Sequence, residues 1–177
     1  MTTKQAASRR TFLLVLLAFA APVLVALLIL KQGWFNGGVT SHGQMVMPPL
    51  QRAEWRQQQW HNSWALIGIC QQQCDATQSY LQRIKTTLGQ YQQRVVVLSV
   101  GAQAPSQTGQ QLFWRSQLSN LPERWAAAGT ILIMDPLGHV MLTYPPLQAG
   151  AEREQIAEQG RGVKADLYKM LKLSRIG

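Results

Sequence analysis

The hydropathy pattern opens on Thr11–Leu30, twenty residues without a charge. At 1.5 Å rise per residue this run covers about 30 Å, one bilayer core, and it predicts a transmembrane helix. Pro22 near its middle is a kink site that membranes tolerate. A polar, glycine-rich stretch follows, and beyond it the apolar runs become short. Trp64–Ile69 has the length and residue types of a buried strand. Asp75–Leu88 places Thr77, Tyr80, Leu81, Ile84 and Leu88 on one helical face, with Gly89 as a C-terminal cap. Arg94–Val100 is a β-branched run and predicts a second buried strand, and Leu112–Leu121 predicts a second helix or helical turn. Thr130–Met134 and His139–Tyr144 predict two more strands, joined by a turn at Asp135-Pro-Leu-Gly138. Val163, Leu167, Met170, Leu171 and Ser174 mark a closing helix with basic residues toward its end.

The core elements therefore run β-α-β-α-β-β-α, the order of the thioredoxin fold, and alternation of strand and helix implies an α/β layer architecture. The expected organisation is a cytoplasmic tail at 1–10, a transmembrane helix at 11–30, a linker at 31–49 and a thioredoxin-like domain at 50–177. The linker carries Pro48-Pro49 at its end, with Trp34 and Phe35 placed for the membrane interface. Leu50–Ser63, rich in Gln and Trp, reads as a short hairpin or extension before the first core strand. A cleaved signal peptide is the competing reading of the first apolar run, since Ala18-Phe19-Ala20 offers small residues at a cleavage-like spacing. A signal h-region covers only about 7–15 residues, so the length favours an uncleaved anchor.

Charge sets the orientation. Lys4, Arg9 and Arg10 precede the span and only Lys31 follows it directly, which predicts a cytoplasmic N-terminus and a domain outside the cytoplasm. In a bacterium that is a single pass through the inner membrane with a periplasmic domain, an oxidising compartment where a disulfide persists. The chain has a formal charge of +9, of which +6 lies from Lys31 onward. No basic patch with interleaved aromatics and no nucleic-acid module is present, so nucleic acid is not an expected partner. Lys164, Lys169, Lys172 and Arg175 in the last segment read as a solvated surface or one facing anionic headgroups.

Both cysteines of the chain, Cys70 and Cys74, fall between the first core strand and the first helix. A helix N-terminus favours thiolate, so this is the expected site. Three chemistries compete for it. Thiol–disulfide exchange needs an accessible thiolate and a resolving partner in the same loop. Cu(I) prefers thiolate and thioether ligands, which makes Cys70 and Cys74 a metal-ligand pair and copper the cofactor to consider. A static disulfide closing so short a loop stabilises by less than the ~3 kcal/mol of a 15-residue loop. Met45 and Met47 alternate beside His42 and offer soft ligands, but alternation entering a strand favours packing. Met134 and Met141 are expected to pack within the sheet.

The strand–CxxxC–helix unit, the later Ile131-Leu-Ile-Met-Asp135-Pro-Leu-Gly138 and the preceding anchor resemble the Sco-type cytochrome c oxidase assembly proteins. Gly37–Gly43 running to Pro48-Pro49-Leu50, and Leu171-Lys-Leu-Ser-Arg-Ile-Gly177, resemble a group of small Sco-related membrane proteins associated with oxidase assembly in proteobacteria. The resemblance covers most of residues 35–177. It implies a thioredoxin-like fold, copper as ligand, and a cytochrome oxidase subunit or another assembly factor as partner. In Sco-type proteins a histidine before the strand ending in Asp-Pro completes the copper site. This chain has no histidine between Cys74 and Thr130, only Trp125-Ala-Ala-Ala-Gly129, so the carry-over stops at Cys70 and Cys74. The antiparallel third strand puts His139 in an exposed turn at the far end of the sheet, and His42 and His61 precede the core strand. The thioredoxin proline before the third strand is replaced by Ala128-Gly129. The expected roles are nucleophile for Cys70 and resolving thiol for Cys74, in an assembly factor acting by dithiol–disulfide exchange. A Cu(I) carrier and a non-catalytic docking module with a structural disulfide are the alternatives.

Overall fold

A computed structural model describes residues 3–32, 41–56, 58–60, 62–70, 72, 74–107, 109–147 and 150–176. The chain divides into two compact units, Met1–Thr40 and Ser41–Gly177. Among the described residues the first holds one helix, α1 (Thr3–Lys31), with Pro22 inside it. Its stretch Arg10–Ile29 is long and apolar enough to cross a membrane. Phe12, Leu13, Leu16, Leu17, Phe19, Val23, Leu27 and Leu28 lie exposed around it. A helix apolar on every side suits hydrocarbon, where backbone polar groups must be satisfied internally.

The second unit holds a six-stranded mixed sheet: β1 (Gln44–Gln51), β2 (Trp64–Ile69), β3 (Val95–Val100), β4 (Leu112–Arg115), β5 (Ile131–Met134) and β6 (His139–Tyr144). Their spatial order is β1-β6-β5-β2-β3-β4. β2, β3 and β4 are parallel, while β5, β6 and β1 alternate antiparallel beyond β2. β2 and β3 are buried at every residue, as expected of central strands covered on both faces. The predicted α/β, thioredoxin-like architecture with one N-terminal apolar helix is the one observed.

Helices α2 (Asp75–Thr86) and α3 (Arg153–Leu173) cover one face. Leu81 and Ile84 of α2 and Val163, Leu167 and Leu171 of α3 pack on Leu66, Val97, Ile133 and Leu142. The other face has a roof of irregular segments. Trp55 and Trp60, in 3-10 turns at Ala53–Trp55 and Gln58–Trp60, join Leu118 and Trp125 over Ile67, Leu98 and Leu132. The Trp55 indole donates to the Ser119 carbonyl at 2.7 Å, tying this roof together. The segment before β2, expected as a hairpin or extension, is thus the end of β1 and two aromatic-bearing turns.

The structure departs from the expected pattern at four places. Leu112–Leu121 is not a helix: Leu112–Arg115 pairs parallel with β3 as an edge strand, and the helical turn comes later, at Glu123–Trp125. Four bulky residues with two aromatics suit a pleated surface better than an uncapped helix start. Met45 and Met47 do not pack; they are 55 % and 77 % exposed, because β1 is an edge strand that turns Val46, and in part Leu50, into the core and leaves its other side open. Met141 is half-buried where the register shifts between β5 and β6, while Met134 is fully buried as expected. β1 also takes in Gln44–Pro49, the last residues of the stretch read as linker. Trp34, Phe35 and His61 lie outside the described residues.

Candidate functional site

β2 ends at Ile69, and the next residue, Cys70, keeps the strand's direction: its N–H donates to the Val100 carbonyl at 2.8 Å. Cys74 is the N-cap of α2, and its carbonyl accepts the Gln78 N–H at 2.8 Å, opening the helix. α2 reaches this position because Gly68 lets it close on β2. A β-carbon at Gly68 would meet the Thr77 and Leu81 side chains at 2.5 and 2.7 Å. Strand end and helix start are thereby held with their α-carbons 5.4 Å apart, and Cys70 and Cys74 are joined as a disulfide.

Both sulfurs are enclosed. Cys74 is fully buried and Cys70 is 7 % exposed, so Cys70 is the more accessible of the pair. The Cys70 sulfur lies 3.1 Å from the Val100 carbonyl oxygen, which would accept its proton in the dithiol form. Gly101, directly after β3, supplies the floor. A β-carbon there would fall 2.7 Å from the Cys70 carbonyl and within 2.9 Å of both sulfurs. Its peptide is pinned from two sides: Gly101 N–H donates to the Arg115 carbonyl and the Trp114 indole donates to the Gly101 carbonyl, each at 3.0 Å. Neither Gly101 nor Trp114 was identifiable from the sequence, where a glycine after an apolar run signals only a turn.

The loop after Gly101 folds over the cysteine loop. Gln103 N–H donates to the Gln72 carbonyl at 3.0 Å. Ser106 donates to Asp75 through its backbone N–H, at 2.8 Å, and through its hydroxyl. The Ser106 hydroxyl and then its N–H hold the Asp75 carboxyl below the usual carboxylate range. Asp75 thus sits ionised beside Cys74, opposing the helix N-terminus in its effect on the Cys74 thiol, whereas Cys70 is one strand end further away. The arrangement can store and release two electrons as a disulfide, with Cys70 the sulfur a partner would reach first.

His139 and His42 stand elsewhere. Ala65 pairs with Met134 and Gly68 with Ile131, so the turn after β5 lies at the opposite end of the sheet from Cys70. His139 is there, as expected, but it is half-buried rather than exposed. Its N–H donates to Asp135 at 2.7 Å and its Nδ1 lies 3.0 Å from the other carboxylate oxygen. His42 belongs to a contact with α3, its N–H donating to Asp166 at 2.7 Å. Among the described residues no group of three or more His, Cys, Asp or Glu side chains could hold a metal. There the donors for the copper implied by the resemblance are the two sulfurs of Cys70 and Cys74, which are bonded to each other as a disulfide. Gly129, with φ +90, stands before β5 in place of the thioredoxin proline and donates its N–H to the Ile69 carbonyl at 2.7 Å.

Residues 64–174 match the family model described as transmembrane-like, thioredoxin-like, C-terminal domain. The match takes in β2 through α3 and both cysteines. No match to a curated protein is found.

Proposed function

Since the chain belongs to the family of transmembrane-like, thioredoxin-like C-terminal domains, we propose that it is a membrane-anchored dithiol–disulfide exchange protein. The observation that carries this reading is the Cys70–Cys74 disulfide set between the end of a central strand and the start of a helix. In the reducing direction, the Cys70 thiolate attacks a partner's disulfide and expels one partner thiolate. Cys74, deprotonated in turn, then attacks the Cys70 sulfur, forms the Cys70–Cys74 bond and expels the second partner thiolate. Two electrons pass to the partner, and its two thiolates take up the two protons the cysteines gave up. A reducing dithiol restores the pair by the reverse sequence.

The setting of this chemistry is a bacterial inner membrane, with the N-terminus cytoplasmic and the domain periplasmic. Support comes from the Lys/Arg excess ahead of the apolar run Thr11–Leu30 within α1 and from a cysteine pair set as a disulfide, which persists in an oxidising compartment. The partner is a subunit or assembly factor of a respiratory cytochrome c oxidase, whose metal-site cysteines the pair would keep reduced. Support for this step is the sequence resemblance to Sco-type proteins at Cys70, Cys74 and Ile131–Gly138.

Burial of both sulfurs favours a second reading, a docking module with a structural disulfide. The reduction potential separates the two. Equilibration of the detergent-solubilised chain against thiol buffers should give a value between about −270 and −120 mV, the range of working oxidoreductases. A value below about −300 mV assigns the disulfide to structure and selects the docking module. Normal oxidase assembly in both Cys70→Ser and Cys74→Ser cells removes the exchange reading.

A further inference from the structure

The two sides of α3 differ in kind. Toward the sheet, Val163, Leu167 and Leu171 are fully buried. Away from it, Arg161, Lys164, Tyr168 and Lys172 recur at helical spacing and are all exposed. Lys169 lies beside this stripe and Arg175 just beyond the helix, both exposed. Glu158 marks the near end of the stripe. The one acid after it, Asp166, points inward and accepts hydrogen bonds from Tyr144 and the backbone of His42 and Gly43. The stripe itself thus carries Arg161, Lys164 and Lys172 and no acid over the last three turns of the helix.

Tyr168 stands among these charges, and two aliphatic groups are exposed at the end of the helix. Tyr168 is 41 % exposed, Leu173 74 % and Ile176 46 %. They are held in place: the Tyr168 ring meets Tyr91 edge-on at 5.4 Å. Arg94 donates to the carbonyls of Leu171, Ser174 and Ile176 and so fixes the turn that ends α3. Basic side chains around an exposed aromatic on one fixed helix face, with exposed aliphatic groups at the helix end, are the pattern of a surface that lies on anionic lipid. The chain also carries its own bilayer-crossing helix, so an anionic surface is available to this domain at high effective concentration.

We propose that the outer face of α3, centred on Arg161, Lys164, Tyr168 and Lys172, docks on the anionic headgroups of the membrane that α1 spans. Each basic residue near such a surface contributes roughly fivefold to partition, so the contact is weak for a free domain and effective for a tethered one. It is reversible by salt, because the attraction acts within a Debye length of about 8 Å at physiological ionic strength. The proposal rests on α1 being the anchor and is independent of the chemistry at Cys70 and Cys74.

The test uses the full chain with its native disulfide intact, in nanodiscs of phosphatidylcholine alone or with phosphatidylglycerol added. A nitroxide at Ala165→Cys reads the α3 face, and one at Gln117→Cys reads a face remote from the stripe. Phosphatidylglycerol should cut collisions of the 165 label with an aqueous nickel chelate severalfold and leave the 117 label unchanged. Lys164→Glu with Lys172→Glu should restore those collisions, as should salt near 1 M, where the Debye length is about 3 Å. Equal accessibility of the 165 label in both lipids overturns the proposal. Protection that survives the double reversal does so too, and assigns the face to a protein contact. A chain that does not enter the discs removes the anchor and the docking together, while the reduction potential still reports on Cys70 and Cys74.

Discussion

A β-carbon on Gly101 would lie 2.8 Å from the Cys74 sulfur, closer than any real side chain tolerates. The peptide cannot retreat, because the Arg115 carbonyl and the Trp114 indole hold it from both sides. In the disulfide the sulfurs are tied to each other, whereas each free thiol can turn about its own Cα–Cβ bond. Gly101→Ala therefore disfavours the oxidised form more than the dithiol. Overpacking costs about 1–3 kcal/mol, and the share borne by the oxidised form alone raises the reduction potential, by at most roughly 65 mV, since the clash with the Cys70 carbonyl at 2.7 Å is common to both forms. Titration of wild type and variant against the same thiol buffers checks this. An unchanged or lower potential would mean that the dithiol needs the same space.

Asp166 joins the start of the domain to α3. Its Oδ2 accepts the N–H of His42 at 2.7 Å, the N–H of Gly43 at 2.9 Å and the Tyr144 hydroxyl at 2.7 Å. Burial, and then the Asp166 hydrogen bond, push the Tyr144 hydroxyl well above its ordinary pKa, so it remains a donor. Asp166→Ala leaves three donors without this acceptor and should cost about 2–4 kcal/mol, while Tyr144→Phe, which removes one bond, should cost about 1 kcal/mol. Urea unfolding of the detergent-solubilised chain ranks the two variants. Equal losses would refute the shared-acceptor account.

How far the sequence carries the fold depends on which elements speak locally. β2, β3, β5 and β6 were legible because each is a short apolar run bounded by turn residues, and the Asp135–Gly138 turn appears as its composition predicts. Leu112–Arg115 was misread because nothing local tells a four-residue edge strand from a helix start. Met45 and Met47 were misread because alternation does not say whether a strand is central or at an edge. The tryptophan roof was invisible, since Trp55, Trp60 and Trp125 lie on both sides of β2 in sequence and converge only through the sheet. Cys70 and Cys74 are expected between the first core strand and the first helix, and they lie there, between β2 and α2. Gly101, Trp114 and Ser106 reach them through the pairing of β2, β3 and β4, and register is not written in any one segment.

The Asp75–Ser106 contact makes the cover over the cysteine loop pH-dependent. The folded Asp75 carboxyl titrates below its unfolded value because Ser106 hydrogen bonds favour the ionised form. Its contribution is therefore fully present above an unfolded pKa of about 3.9 and is lost as pH falls through the lower folded value. Asp75→Ala removes it at every pH. Hydrogen exchange should show the Ser106 and Gln103 amides of that variant exchanging faster at neutral pH, with β3 amides unchanged. Wild-type protection at Ser106 retained in Asp75→Ala would assign the loop's order to other contacts.

Lys85 gives a stability signature at alkaline pH. It is 7 % exposed and donates to the Gln111 side chain at the edge of a pocket of about 600 Å³, lined also by Gln82, Gln92 and Gln93. Burial lowers its pKa to about 8, against about 10.4 for a free lysine. Between those values the unfolded chain holds a proton that the folded chain has released, so this residue makes stability rise with pH across the window. Below about pH 8 both states are protonated and the burial penalty is fully expressed. Lys85→Met should raise stability at neutral pH by about 1 kcal/mol and remove the slope. Gln111 is not stranded by the change, because its amide still donates to the Gln93 carbonyl at 2.8 Å and its oxygen faces the pocket. Thermal unfolding of both proteins at pH 7 and 9.5 gives the comparison, and the difference between them cancels titrations common to both. A wild-type advantage at pH 7, or parallel pH profiles, would show that Lys85 folds without a desolvation penalty.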